Sequence, residues 1–194
     1  MTKLTALPLS DLLAAFRSSE PTPGGGSASA LSSAVGASLL AMVAGLQKPR
    51  ATTSEEIERL AAAGRHCTTV AVQLEALIDQ DSAAYDLVVG AFRLPKATDE
   101  EKAARTAAIQ KALVAATEAP LDVMRRTSQA LASAPAIEEL GNQNAASDVQ
   151  VALALLKAGL HGARHNVEIN LGGLKDATYV QRVRAEVARL SGSV

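Results

Sequence analysis

The sequence predicts an all-α bundle on three grounds. Of its 194 residues, 40 are alanine and 25 leucine, residues at the top of the helix-propensity scale. Only Phe16, Tyr85, Phe92 and Tyr179 are aromatic, whereas strands favour aromatic and β-branched side chains. Apolar positions also recur at three- and four-residue spacing between capping signals. Small side chains let helices approach closely, so contact area replaces bulk. A single chain of this kind has a modest core, and a core shared between two copies is the natural expectation. We expect one domain over residues 1–194: a compact bundle of six to eight helices around a small-residue central helix, in a dimer.

The elements follow in order. A short helix is expected from Ser10 to Arg17, capped by Ser10. Pro21, Pro23 and the glycines Gly24, Gly25 and Gly26 then forbid regular structure, and Ser27 is placed to cap a helix over Ala28–Leu46. Thr53 and Glu56 have capping-box spacing and open a stripe running Ile57, Leu60, Gly64, Cys67, Val70, Leu74, Ile78, Asp81, Tyr85 and Phe92. Periodicity leaves open one very long helix or two joined near Asp79. Leu94-Pro95-Lys96-Ala97 breaks it. Thr98 and Glu101 form a second capping box, opening a helix to Thr117. Pro120 suits the first turn of another, expected to end before Pro135. Gly141-Asn142-Gln143-Asn144 reads as a polar turn. A helix from Ser147-Asp148 to Leu160 and an amphipathic one over Asp176–Leu190 complete the chain, with Gly172-Gly173 between them.

The formal net charge of −1 supplies no basic field to recruit nucleic acid or anionic lipid. The lone Cys67 has no partner for an internal disulfide, which points to a reducing compartment. The start Met1–Pro8 has no apolar core of a signal peptide. The uncharged run Val35–Leu46 is too short to span a bilayer. These readings give a cytoplasmic protein without nucleic-acid or membrane partners.

Four groups of residues break the pattern. Asp81 falls on an apolar stripe, where a carboxylate is costly unless paired, hydrogen-bonded or protonated. Burial would raise its pKa, as suits a proton-transfer group; pairing with an arginine, or capping a nearby helix, accounts for it equally well. Pro23, Gly24, Gly25, Gly26 and Ser27 could present backbone N–H groups to an anion or polar ring. Without a following Gly-Lys-Ser/Thr they are not a P-loop, and an ordinary loop with a cap explains them too. Asn142, Asn144, Ser147 and Asp148 could read a heterocycle through paired donors and acceptors, or simply form a turn. Asn166 and Asn170 are amides one turn apart among apolar residues. Lys96, beside Arg93, could hold a carboxylate or be an exposed loop charge. His161 and His165 make only half a zinc site, and no metal is expected.

Taken together, Pro21–Ser27 with the small-residue helix reaching Met42-Val43-Ala44, then Asp81, Ala84-Tyr85, Ala91 and Leu94-Pro95-Lys96, then Gly141-Asn142, Asn144, Ser147-Asp148, Asn166-Val167 and Asn170, resemble the formiminotransferase-cyclodeaminase C-terminal domain family. The resemblance spans roughly Leu9 to Leu190. The chain departs from the family at Leu46–Ala51, where a glycine and a tyrosine are missing and basic character survives in Lys48 and Arg50. The resemblance implies an all-α homodimer with no permanently bound cofactor and a tetrahydrofolate derivative as substrate. Catalytic roles fall to Asp81 and Lys96. Pro23, Gly24, Gly25, Gly26, Ser27, Tyr85, Asn142, Asn144, Ser147, Asp148, Asn166 and Asn170 bind substrate. The implied activity is hydrolysis of 5,10-methenyltetrahydrofolate to 10-formyltetrahydrofolate. Alternatives are a formimidoyltetrahydrofolate cyclodeaminase and a non-catalytic folate-binding or scaffold dimer.

Overall fold

The computed structural model describes residues 3–192, so the first two and last two residues of the expected domain lie outside it. Its core is four long helices: α2 (Gly25–Gly45), α3 (Ser54–Phe92), α4 (Asp99–Leu140) and α5 (Ala146–Leu171). They run up, down, up, down in a ring, each beside its two chain neighbours and α5 closing against α2. Single-turn 3-10 segments precede α1 (Leu9–Phe16) and α5, and α6 (Ala177–Ser191) follows α5. Among the described residues there is no strand.

α3 and α4 begin as the sequence predicts. Thr53 and Thr98 each accept the N3 backbone N–H, and Glu56 and Glu101 reach back to the cap. α3 is one continuous helix of 39 residues, with no break near Asp79. α1 begins a residue before Ser10, at the Pro8 cap, and the Ser10 hydroxyl bonds Asp11 instead. α5 runs on past Leu160 to Leu171, because Leu160, Ala163, Val167 and Leu171 continue its buried face.

The two helices expected around Pro120 are also one. α4 passes through both Pro120 and Pro135 over 42 residues. A proline inside a helix removes the N–H that its i−4 carbonyl would accept. At Pro120 that carbonyl belongs to Ala116, and it accepts the Asn170 side-chain N–H from α5 at 2.6 Å. The lost bond is replaced from a neighbouring helix.

α2 is the tightly packed element. Ser33 bonds Thr127 of the diagonal helix α4 at 2.8 Å. Against α5 the fit is set by glycine: a Cβ at Gly159 would lie 2.7 Å from the Ser29 carbonyl, and one at Gly36 would lie 2.8 Å from that of Ala152. The uncharged helix covers 21 residues, longer than the Val35–Leu46 run. It has the length and hydropathy of a membrane span. Nevertheless Ser27, Ala30, Ser33, Ala37 and Leu40 are fully buried among the other helices. Cys67 is buried with them, and desolvation pushes its thiol up to about 11.

At the other end of the chain, α6 buries Val183, Val187 and Leu190. It is fastened by Arg125, which bridges Glu118 and Asp122 of α4 to Glu186 at 2.7–3.0 Å.

Asn170→Ala should cost about 1–3 kcal/mol in urea unfolding, since it orphans the Ala116 carbonyl. In a Pro120→Ala background the restored N–H should remove most of that cost. Equal costs in both backgrounds would show that Asn170 does not compensate for the proline.

Candidate active site

The first turn of α2 has Gly24 as its cap, with no capping side chain of its own. The acceptor comes from the middle of α3. Asp81 Oδ2 accepts the Ser27 backbone N–H at 2.9 Å and lies 3.2 Å from the Ser27 hydroxyl. That hydroxyl is also 2.9 Å from the Ile78 carbonyl and 3.2 Å from the Ser82 hydroxyl. Ser27 is therefore an N3 residue inside the helix rather than its cap, and Asp81 supplies the cap that its own sequence neighbourhood lacks. A negative group is favoured at a helix N-terminus.

This contact explains two glycines. A Cβ at Gly26 would overlap both carboxylate oxygens of Asp81. One at Gly25 would lie 3.2 Å from Asn166 Nδ2. The glycines admit neighbouring side chains to the helix start.

Asp81, Tyr85, Gly24, Gly25, Gly26, Asn166 and Asn170 line one cleft of about 270 Å³, with Leu113, Val88 and Ile169 as apolar wall. Burial raises the Asp81 pKa, opposed by the two hydrogen bonds from Ser27. Among the described residues no Lys, Arg or His lines the cleft, so the carboxylate has no positive partner among them there. The two asparagines spend an N–H on Gly162 and Ala116 carbonyls, leaving side-chain oxygens as acceptors for a ring N–H or amine. Pro23 lies one cleft over, beside Ser82 and Asp79.

The remaining predicted residues are elsewhere. Asn142 donates to the Gln47 carbonyl at 2.7 Å, and its side-chain oxygen accepts the Asn144 backbone N–H at 2.8 Å. Asn142 and Asp148 are half-buried, while Asn144 and Ser147 are exposed. Arg50 and Ala51 donate backbone N–H groups to the Leu140 carbonyl, so the divergent Leu46–Ala51 segment packs on this same turn. Lys48 there has φ 57°, in the left-handed region. The cluster sits at the C-terminal end of α2, about 30 Å from Gly25 at 1.5 Å per residue. Lys96 lies exposed in the α3–α4 turn, about 16 Å along α3 beyond Asp81 by the same rise. One chain brings Asp81, Tyr85, the glycines and the two α5 asparagines together, but not Lys96 or the Asn142 group. Ser82 was missed by sequence reasoning; its adjacency to Asp81 was the only signal for it. His161 and His165 stack at 4.7 Å, and among the described residues no three His, Cys, Asp or Glu side chains group as metal ligands do.

Comparison with known proteins bears on this arrangement. Residues 8–189 match the family Formiminotransferase-cyclodeaminase. The chain belongs to that family. It is 40% identical to methenyltetrahydrofolate cyclohydrolase of Methylorubrum extorquens, over 89% of this chain and 83% of that protein. It is 34% identical to formimidoyltransferase-cyclodeaminase of Rattus norvegicus over 87% of this chain, but spans only 31% of that longer protein. The crystal structure of formiminotetrahydrofolate cyclodeaminase from Thermotoga maritima matches with a TM-score of 0.82 and 26% identity, covering 98% of this chain and 91% of that one. The bundle is thus a family fold, with Asp81 at the start of its central helix.

A carboxyl whose pKa is raised by folding destabilises the native state once it is charged. Its stabilising contribution is complete below the unfolded value of 3.8 and is lost as pH rises through the folded value. Asp81→Asn keeps a capping oxygen without the charge. Its melting temperature should match or exceed wild type near pH 8, and the gain should shrink as pH falls towards about 4. A variant less stable at pH 8 than at pH 4, relative to wild type, would contradict the raised pKa.

Proposed function

We propose that this chain is a methenyltetrahydrofolate cyclohydrolase, built as one domain and working as a homodimer in the cytoplasm. The observation that carries the reading is the cleft around Asp81: a half-buried carboxylate with no cation among the described residues lining the cleft beside it, in a chain closely related to a cyclohydrolase over nearly its whole length. The methenyl substrate is itself a cation, and a carboxylate without a partner is its counter-charge.

The chemistry then follows. Water adds to the methenyl carbon, and Asp81 takes its first proton. The carbon–N5 bond breaks with its electron pair going to N5, which receives a proton from Asp81. The added hydroxyl becomes the formyl carbonyl and gives the second proton to the Asp81 carboxylate. One proton is released per turnover. A carboxyl with a raised pKa can hold and return protons near neutral pH. Tyr85, Asn166 and Asn170 would position the pterin against Gly24–Ser27. Lys96 would take the anionic end of the folate.

The homodimer rests on α2. Ala28, Leu31, Val35, Ser38 and Met42 are exposed or half-buried at alternating three- and four-residue steps, and none is charged. With α1 and α3, Leu31, Val35, Ser38 and Met42 border an apolar groove of about 740 Å³. A second copy crossing antiparallel at Val35 would set the small Ala28 against the long Met42 of the partner subunit, filling the stripe as a helix seam does. The same pairing would carry the partner's Asn142 end towards the first subunit's Gly24–Gly26 end. Asn142, Asn144, Ser147 and Asp148 would then complete the site from across the interface.

The second reading, cyclodeamination of formimidoyltetrahydrofolate, is favoured by the fold match to the Thermotoga protein. Near-UV absorbance of the methenyl compound separates the two. Accelerated loss supports hydrolysis, while its appearance from formimidoyltetrahydrofolate supports deamination. Asp81→Asn should lower kcat by about a hundredfold or more with an unchanged helical CD spectrum; wild-type turnover would remove Asp81 from the mechanism. Val35→Glu should give a folded monomer by light scattering with little turnover. A wild-type chain already monomeric at micromolar concentration would refute the α2 interface.

A further inference from the structure

The hydroxyls behind Asp81 form a line that the reaction so far does not use. Asp81 Oδ2 lies 3.2 Å from Ser27 Oγ, which lies 3.2 Å from Ser82 Oγ. Ser27 is fully buried. The two ends of the line open into different clefts. Asp81 lines the 270 Å³ cleft with Tyr85 and the glycines. Ser82 lines a neighbouring cleft of about 440 Å³ with Lys3, Pro23, Asp79 and Asp86. The turn of α3 carrying Asp81 and Ser82, with the start of α2, separates them.

We propose that Ser82 and Ser27 form a proton relay connecting Asp81 to solvent in the second cleft while the folate covers the first. This rests on the reading of Asp81 as the proton carrier. The reaction releases one proton per turnover, and the ligand that fills the first cleft blocks the direct route to water. The relay is a chain of hops in which every hydroxyl keeps its proton count. The Asp81 carboxyl passes its proton to Ser27 Oγ as Ser27 gives its own to Ser82 Oγ, and Ser82 gives its own to water. Rotation of the two hydroxyls resets the chain, and the Ile78 carbonyl is the resting acceptor for the Ser27 O–H.

The charged groups around the two ends fit this direction. Tyr85 is the only other titratable side chain lining the first cleft. On the second, Lys3, Asp79 and Asp86 surround Ser82. Asp79 is occupied by the Leu4 backbone N–H and the Thr5 hydroxyl, so the proton leaves Ser82 to water in this cleft. Ser82 touches no substrate. It is a positioning residue that acts through Ser27 and Asp81.

The test measures methenyltetrahydrofolate hydrolysis by the full-length chain. Ser82→Ala should lower kcat about tenfold with KM unchanged, and its rate should recover with added imidazole buffer, which delivers and removes protons in place of the hydroxyl. Ser82→Thr should retain wild-type kcat, and the wild type should be indifferent to the buffer. A Ser82→Ala protein with wild-type kcat and no buffer response overturns the relay. So does one whose lost activity neither threonine nor imidazole restores, which would mark a structural role. In both cases an inactive Asp81→Asn leaves the proposed function standing. A wild-type chain that turns over neither folate overturns that function, and the relay with it.

Discussion

The rest of the molecule depends on the contact between one half-buried carboxylate and the start of an uncharged helix. α2 carries no charged residue and no capping side chain, so its first N–H groups need an acceptor from outside. Asp81 provides it from the middle of α3. That contact holds α2 against α3 at Gly26, where a Cβ would overlap the Asp81 carboxylate. At the far end of α2, Ala44 lies against Gly64. Between them Ser33 meets Thr127 across the bundle, and Gly36 meets Ala152 and Leu156. The contact in the candidate site is thus also part of the packing of α2 on α3.

Local signals were legible in the sequence and non-local compensation was not. Both capping boxes form as read, because each is a reciprocal contact between residues three apart. The all-α class and the small-residue centre follow from composition and period. Pro120 defeats the same reasoning, because the bond it forfeits is made good by Asn170, 54 residues away. Asp81 was conspicuous as a charge on an apolar stripe, and the structure shows the helix-capping arrangement together with the raised pKa. Of the readings open for it in the sequence, capping is what the geometry shows, and proton transfer belongs to the proposed function. Asn142 and Asn144 were conspicuous for turn chemistry, and a turn is what they build. Nothing local could reveal that the divergent Leu46–Ala51 segment folds onto them.

Aromatic scarcity decides how the cleft holds a ligand. Tyr85 is its only ring, and 40% of it is exposed. Recognition falls to amide oxygens, a carboxylate and the open first turn of a helix. Such groups tell a donor from an acceptor but exert little stacking force. The glycines matter for this reason. They bring Asp81 and Asn166 close to backbone that a side chain would otherwise shield.

A cationic substrate also explains how one carboxyl could serve two opposite steps. Burial favours neutral Asp81, and the helix start with its N–H donors favours the charged form. In the proposed reaction a bound methenyl cation would add to the second side, so the carboxyl would be held charged and act as a base while the substrate is intact. Addition of water and loss of a proton destroy the positive charge. The balance then returns to burial, and the same group keeps the proton it has gained until N5 needs it. The change in protonation is driven by the charge of the guest, not by movement of the protein. A site with a resident lysine or arginine beside Asp81 would lose this behaviour, because a permanent cation would hold the carboxyl charged throughout. Among the described residues the lining holds no such side chain, which suits the proposed chemistry.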